Sequence, residues 1–550
     1  MARTPNMIDY EAERSRFRWP RHDRFNFAKD VLDRWAADRD KLALLLLDAS
    51  GTEHRYTFHQ LRRRSSQVAN MLQGKGVARG ERVFVMLPRV VEWWETLLGV
   101  LRMGAVAMPG TALLTEKDIV YRANEAEATA IVTDAAGAAK VDRVRDQCPS
   151  LRHFILVDDA WRDGWGQYKH MLDRASDSDF LEKTRSDDPA LVYFTSGTVG
   201  YPKMVLHTQG SYGLGHTVTG KYWLDLGPDD LHWNVSDTGW AKAAWSSFFA
   251  PWIQGAAMFQ HDARGKFDPG ALLETLGRYP ITTFCAPPTV YRMLVLEHLT
   301  PELAPTLRHC VGAGEPLNPE VIEAWKDGLG HIIRDGYGQT ETVLLSGNFP
   351  PLEVRPGSMG KPTPGFDVRV IDHDGQELPA GREGDIAVKV APERPLGMFV
   401  EYWRNPEATA ASYRGYCYVT GDRAQQDEDG YLWFVGRADD VILSASYRIG
   451  PFEVESALVE HPAVMEAAVV GSPDEIRGQM VKAFVILAPN HQPSEALALA
   501  LQEHVRKVTA PYKYPREIEF VTELPKTVSG KIRRVELRER EIARKAKPSS

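Results

Sequence analysis

Short apolar runs of β type alternate with helical patterns through roughly the first 160 residues, and no other feature restricts the architecture as much. "RVFVML" (82–87) is followed by "EWWETLLGVLRMG" (92–104), then by "AVAMP" (105–109), "AIVTD" (130–134) and "FILVD" (154–158). Strands separated by helices of this length build βαβ units. The expectation is therefore an α/β fold with a largely parallel sheet covered by helices on both faces. Ligands in such sheets bind at the loops beyond the strand C-termini. At 550 residues the chain exceeds a single ordinary core, so several packing units are expected.

The texture changes after Gly436. "GRADDVILSASYRIGPFEVESALVEHP" combines a charged turn, a short strand and a helix; "VMEAAVVGS" and "KAFVIL" add strands, and "ALALALQEHVRKV" adds an amphipathic helix. That is enough α+β structure to pack a small core of its own. The chain divides on this basis into a large N-terminal domain of βαβ subdomains, residues 1–437, and a smaller α+β domain, residues 438–550, with the boundary near Asp439.

Composition narrows the function classes. A net charge of -8 argues against a general nucleic-acid binder, which neutralises many phosphates with clustered Lys and Arg. Cys148, Cys285, Cys310 and Cys417 lie far apart with no CxxC pairing, which implies neither a zinc site nor a disulfide framework. The N-terminal "MARTPNMIDYEAERSRFRW" is charged and lacks the apolar core of a signal peptide, and the early apolar run Leu42 to Leu47 is far too short to span a bilayer. A cytoplasmic protein without a membrane span is expected.

The stretch "VYFTSGTVGYPKMVLH", Val192 to His207, follows a strand pattern with a loop rich in Gly and hydroxyl residues. The familiar nucleotide cradle needs Gly before its Lys and Ser or Thr after it, whereas Pro202 and Met204 flank Lys203 here. Its physics still suits a polyphosphate. Gly197 and Gly200 free backbone N–H groups, Thr195, Ser196 and Thr198 add hydroxyls, and Lys203 adds a charge. "GAGEPLNPE" (312–320) sets Gly314 beside Glu315 and Pro316, a rigid wall for a flat ring. "DGYGQTET" (335–342) offers the ring of Tyr337, the hydroxyl of Thr340 and, in Glu341, a carboxylate suited to a hard cation. "YVTGD" (418–422) ends a strand pattern with Asp422, whose short carboxylate suits the two hydroxyls of a ribose. Together these groups match ATP with Mg2+.

With "SDTGWAKAAWSS", "GRADDVILSASYRIGPFEVE" and "LPKTVSGKIRR", these motifs run in order from about residue 30 to residue 540 and resemble the adenylate-forming superfamily, specifically its AMP-dependent medium-chain acyl-CoA synthetases. The resemblance implies a mobile C-terminal domain hinged at Asp439 and the use of ATP, Mg2+, coenzyme A and a small carboxylic acid. It implies that Thr195, Ser196, Gly197, Thr198, Gly200 and Lys203 surround the β- and γ-phosphates, and that Gly314, Glu315 and Pro316 enclose adenine with Asp335 and Tyr337. Thr340 would contact the α-phosphate, Glu341 would hold Mg2+, and Asp422 would take the ribose hydroxyls with help from Arg437. Lys531 would reach the α-phosphate and the attacking carboxylate. Arg448 and Arg506 are the basic positions matched to coenzyme A. Ser446 stands where the family usually has Gly, near the pantetheine path.

The acid is less constrained. Gly338 replaces a tryptophan that closes the acyl tunnel of acetate-activating relatives, which implies an acid longer than acetate, and Trp240 is the candidate pocket wall. Medium-chain, branched short-chain and aromatic acids all fit. An adenylation enzyme that loads a carrier protein shares the first half-reaction and is the alternative.

Overall fold

The computed structural model describes residues 3–180, 184–195, 202–444, 447–474, 477–527 and 531–545. The expected α/β architecture is present, with two mainly parallel sheets in the larger part of the chain. One contains seven strands in the order Gly166–Gln167, His153–Leu156, Ala128–Thr133, Arg82–Met86, Val106–Pro109, Pro189–Phe194 and Met204–Thr208. The chain moves outward from Arg82–Met86 in both directions, so strand order reverses beside that strand and leaves a crevice at the C-terminal ends. The Gly-rich loop does not lead from strand to helix. Pro189–Phe194 and Met204–Thr208 pair antiparallel, and the loop is the turn between them, pinned where the Thr195 N–H donates to the Lys203 carbonyl at 3.0 Å.

The second sheet has nine strands, in the order Lys361–Pro362, Leu344–Gly347, Ile333–Gly338, His309–Ala313, Thr283–Ala286, Leu231–Asn234, Ala257–His261, Leu42–Leu47 and Glu53–Thr57. Its middle is parallel and buried on both faces, which is why these strands read as apolar runs rather than as alternating patterns. Helices join the two sheets through one continuous core that includes Trp93, Trp94, Trp223, Phe248 and Trp252. Thr57 and Gln60 form a capping box that starts the helix Phe58–Gly74.

A third, antiparallel sheet of five strands, within residues 368–437, lies outside the expected βαβ pattern and carries "YVTGD" on its strand Cys417–Gln426. Its strands pair antiparallel, with one short helix, Pro406–Ala411, between Glu383–Lys389 and Tyr413–Arg414, so it lacks the regular strand–helix spacing of βαβ units. After it come the strands Ile442–Ser444, Tyr447–Ile449, Val464–Asp474, Gly478–Leu487 and Glu517–Phe520, with the helices Pro451–Val459, Glu495–Val508 and Arg534–Lys545. This part has its own apolar cluster around Val454, Leu458, Val469, Val485 and Leu501, as expected for a separate small domain. It meets the rest where Asn318 Nδ2 donates to Ser456 Oγ at 3.0 Å and where Phe434 and Phe452 lie edge to face. Among the described residues no helix is long and apolar enough to cross a membrane.

Candidate active site

Asp422 is the centre of the site, because two segments place three donors on one carboxylate. The antiparallel pairing of Cys417–Gln426 with Leu432–Arg437 sets Asp422 opposite Arg437, whose Nη1 lies 3.2 Å from Oδ1. From the nine-stranded sheet, Tyr337 Oη and Gln339 Nε2 each donate to Oδ2 at 2.6 Å. The residue is only 5 % exposed. Burial raises its pKa, while Arg437, Tyr337, Gln339 and the ammonium of Lys531 stabilise the charged form. The charge of Lys531, near the far end of the chain, is thus felt at Asp422. Its own backbone is tied to Thr527, whose Oγ1 accepts the Lys531 N–H at 3.1 Å.

The turn after Ile333–Gly338 carries the next two groups. The Thr340 carbonyl accepts from His207 Nε2 and from Tyr212 Oη, each at 2.7 Å, which fixes this turn against the seven-stranded sheet. Burial pushes the His207 pKa down to about 3, so it is a neutral donor that rigidifies the turn. Glu341 is half-buried, and its Oε1 accepts from Tyr402 Oη at 2.8 Å. Its enclosure raises its pKa against the opposing pull of Tyr402 and Arg437. The Lys203 ammonium stands over the Tyr402 ring at 4.6 Å from its centroid, so one tyrosine connects the Gly-rich loop to Glu341. A carboxylate oxygen beside a phenol, with no nitrogen or sulfur ligand, is a donor set that fits a hard divalent cation.

Gly314 has φ +111° and an open approach where a Cβ would stand, so glycine is required for the backbone at this turn. Glu315 beside it is held by Arg292 Nη2 at 2.8 Å and by Thr289 Oγ1, which keeps Pro316 and the turn in place. Asp335 is buried and accepts the Gly336 N–H at 2.9 Å; burial raises its pKa well above the ordinary value. Arg448 and Arg506 are both exposed and lie on the smaller domain, where the Arg506 guanidinium covers the Tyr514 ring at 3.9 Å. Ser196, Gly197, Thr198, Gly200 and Ser446 lie outside the described residues.

Gly338 and Trp240 are the residues expected at the acyl pocket. The space left by Gly338 is not open, because a Cβ there would stand 2.5 Å from Trp245 Cη2 and 2.5 Å from the Val343 carbonyl oxygen. Trp245 supplies the ring that faces this position, and its Nε1 donates to Tyr212 Oη at 3.1 Å. Trp240, the expected pocket wall, is half-buried at the N-terminus of the short helix Ala241–Ala244. Trp245 was within the motif "SDTGWAKAAWSS", but the break after Ala244, where the helix widens to π geometry over Trp245–Phe249, turns it inward in a way that residue spacing does not reveal. Gln339 and Tyr402 were also missed; Tyr402 belongs to none of the motifs.

A family model described as AMP-binding enzyme matches residues 32–403, and one described as AMP-binding enzyme C-terminal domain matches residues 453–531. The mitochondrial acyl-coenzyme A synthetase ACSM3 of Homo sapiens is 51% identical over 546 residues, covering 98% of this chain and 93% of the human protein. The mitochondrial acyl-coenzyme A synthetase ACSM5 of Rattus norvegicus is 50% identical over 531 residues, covering 94% of this chain and 91% of the rat protein. Among solved structures, the anthranilate CoA ligase AuaEII in complex with anthranoyl-AMP superposes with a TM-score of 0.88 at 30% identity, covering 96% of this chain and 99% of the ligase. A benzoate CoA ligase from Burkholderia xenovorans LB400 superposes with a TM-score of 0.82 at 29% identity, covering 94% of this chain and 100% of the ligase. The mitochondrial designation of these relatives overturns the expected cytoplasmic location. That expectation rested on the lack of an apolar leader, and a mitochondrial address is amphipathic and needs none.

Proposed function

The chain belongs to the AMP-binding enzyme family, and on that premise we propose that it is an acyl-CoA synthetase that activates a medium-chain carboxylic acid with ATP and passes the acyl group to coenzyme A. The observation that supports this reading is the convergence of Tyr337, Gln339 and Arg437 on the Asp422 carboxylate, which also feels the charge of Lys531, with Thr340 and Glu341 on the adjoining turn. Asp422 keeps one acceptor position for a ribose hydroxyl, since a carboxylate accepts about four hydrogen bonds and Tyr337, Gln339 and Arg437 use three. Gly314, Glu315 and Pro316, with Asp335 and the face of Tyr337, enclose the adenine.

The first half-reaction needs no general base. A carboxylic acid with a pKa of about 4–5 is already ionised at neutral pH. Its oxygen attacks the α-phosphorus, the bond to the bridging oxygen breaks, and pyrophosphate departs toward Thr195 and Lys203. Thr340 and Lys531 offset the repulsion between the two anions, an electrostatic contribution of roughly 3 kcal/mol for one well-placed group. Glu341 would hold Mg2+, which when bound neutralises phosphate charge. In the second half-reaction the thiol of coenzyme A loses its proton, its sulfur attacks the acyl carbonyl carbon, and AMP leaves. The smaller domain would turn about Asp439, exchanging Lys531 for the segment that carries Arg448, with Arg506 available to a phosphate of coenzyme A. Asp439 suits a hinge: its carbonyl accepts from Arg538 Nη1 at 2.8 Å and its carboxylate lies 3.6 Å from Arg437 Nε, so it is bound to both sides of the junction.

Incubation with ATP, Mg2+, octanoate and coenzyme A tests the proposal. Octanoyl-CoA, AMP and pyrophosphate are expected in equal amounts; ADP and phosphate as products would refute it.

A further inference from the structure

Lys242 lies on the helix Ala241–Ala244, and its ammonium is buried without a hydrogen-bond partner among the described residues. It stands over the Trp223 ring at 4.6 Å and 6.0 Å from the centroid of Trp245. Both indoles cover one face of the strand Ile333–Gly338, because a Cβ at Gly336 would meet Trp223 at 2.5 Å and one at Gly338 would meet Trp245 at the same distance. Two further buried nitrogens without partners accompany it. His216 and His232 are fully buried, each satisfied only at Nδ1, by Thr219 and Thr283 respectively, and each leaves Nε2 unpartnered. Burial keeps both imidazoles neutral, and the charge of Lys242 adds to that effect on each of them.

A buried ammonium that lacks an acceptor loses its hydration without replacement, and ring faces restore only part of it. The nearby carboxylate, Asp335, bonds to the Gly336 N–H and forms no ion pair with Lys242. Among the described residues no oxygen acceptor lies within hydrogen-bond distance of the Lys242 ammonium. The cluster connects to the Thr340 turn: Trp245 donates to Tyr212 and Tyr212 donates to the Thr340 carbonyl, so the indole beside the lysine is two hydrogen bonds from that turn.

We propose that Lys242 determines specificity by receiving an oxygen acceptor on the acyl group, so that the preferred acids carry a keto or hydroxyl oxygen beyond the reacting carboxylate. This rests on the acyl-CoA synthetase reading above. Its test compares kcat/KM for hexanoate with that for 4-oxohexanoate and 5-oxohexanoate in the full chain and in Lys242→Met, which keeps length and removes the donor. The ratio of oxo to alkyl acid is expected to fall at least about tenfold in the variant for one of the two oxo acids, the loss of one hydrogen bond to a charged group. A fall of less than about fivefold for both overturns the inference while hexanoate turnover leaves the synthetase reading intact. If no acid is turned over by the wild-type protein, the reading itself fails and takes the inference with it. Should Lys242→Met not fold, the wild-type protein decides the matter through its affinity for non-hydrolysable hexanoyl- and oxohexanoyl-adenylate analogues. About tenfold tighter binding of an oxo form supports the proposal, and binding within about twofold for both refutes it.

Discussion

Asp422 shows how much of this site depends on partners far apart in the chain. Tyr337 lies 85 residues away and Gln339 83, while Tyr402 reaches Glu341 across 61. The motif residues themselves were legible, because glycines, hydroxyls and carboxylates cluster in short segments. Their supports were not, because a tyrosine outside any motif carries no local mark. At this scale Lys531→Ala is expected to slow acid-dependent ATP–pyrophosphate exchange by roughly two orders of magnitude, the effect of removing about 3 kcal/mol of transition-state stabilisation. Thioester formation from supplied acyl-adenylate should persist, and parallel loss of both activities would contradict the assigned role. Tyr402→Phe removes the donor to Glu341 and the ring contact's polar tip, and an increase in the Mg2+ concentration needed for half-maximal exchange is expected in metal titrations.

The strand Ile333–Gly338 acts as an element through its two glycines. Its alternation places Gly336 and Gly338 on one face, and the absence of side chains there lets two indoles lie directly on the backbone. The glycines were legible, but the identity of what covers them was not, since Trp223 and Trp245 come from helical segments whose π-type turns alter the facing of each residue. Trp245→Ala is therefore expected to admit longer or more branched acids, moving the best substrate upward in a chain-length series. The same change should cost about 3–5 kcal/mol of stability, read as a lower denaturation midpoint. An unchanged chain-length profile would show that the pocket runs elsewhere.

For the whole molecule, the parallel sheets and the separate C-terminal domain followed from patterning, whereas the antiparallel sheet around Cys417–Gln426 did not, because its strands do not alternate regularly with helices and carry only the short helix Pro406–Ala411 between them. The junction between domains carries a titratable pair that no sequence pattern marks. Glu320 of the larger domain faces Glu460, and Glu460 Oε2 lies 3.5 Å from His504 Nε2, with His461 packed against His504. Burial, then the charge of Glu460, pushes the Glu320 carboxyl up from 4.5 to about 7. A carboxyl whose pKa is raised in the docked arrangement favours docking while protonated. Docking is thus fully favoured below about 4.5 and weakens as pH rises through about 7. Interdomain energy transfer between labelled positions should report this loss over that window, and Glu320→Gln should flatten it; an identical profile in the variant would exclude the pair as its cause.

The central claim is that this assembly forms an acyl-adenylate and transfers its acyl group to coenzyme A. A panel of C2 to C12 acids and benzoate, scored for AMP and acyl-CoA with and without coenzyme A, tests it most directly. Catalytic AMP formation is expected to require coenzyme A, to match acyl-CoA mole for mole and to be greatest for a medium-chain acid. AMP formation indifferent to coenzyme A across the whole panel, or acyl transfer only to a carrier protein, would contradict it.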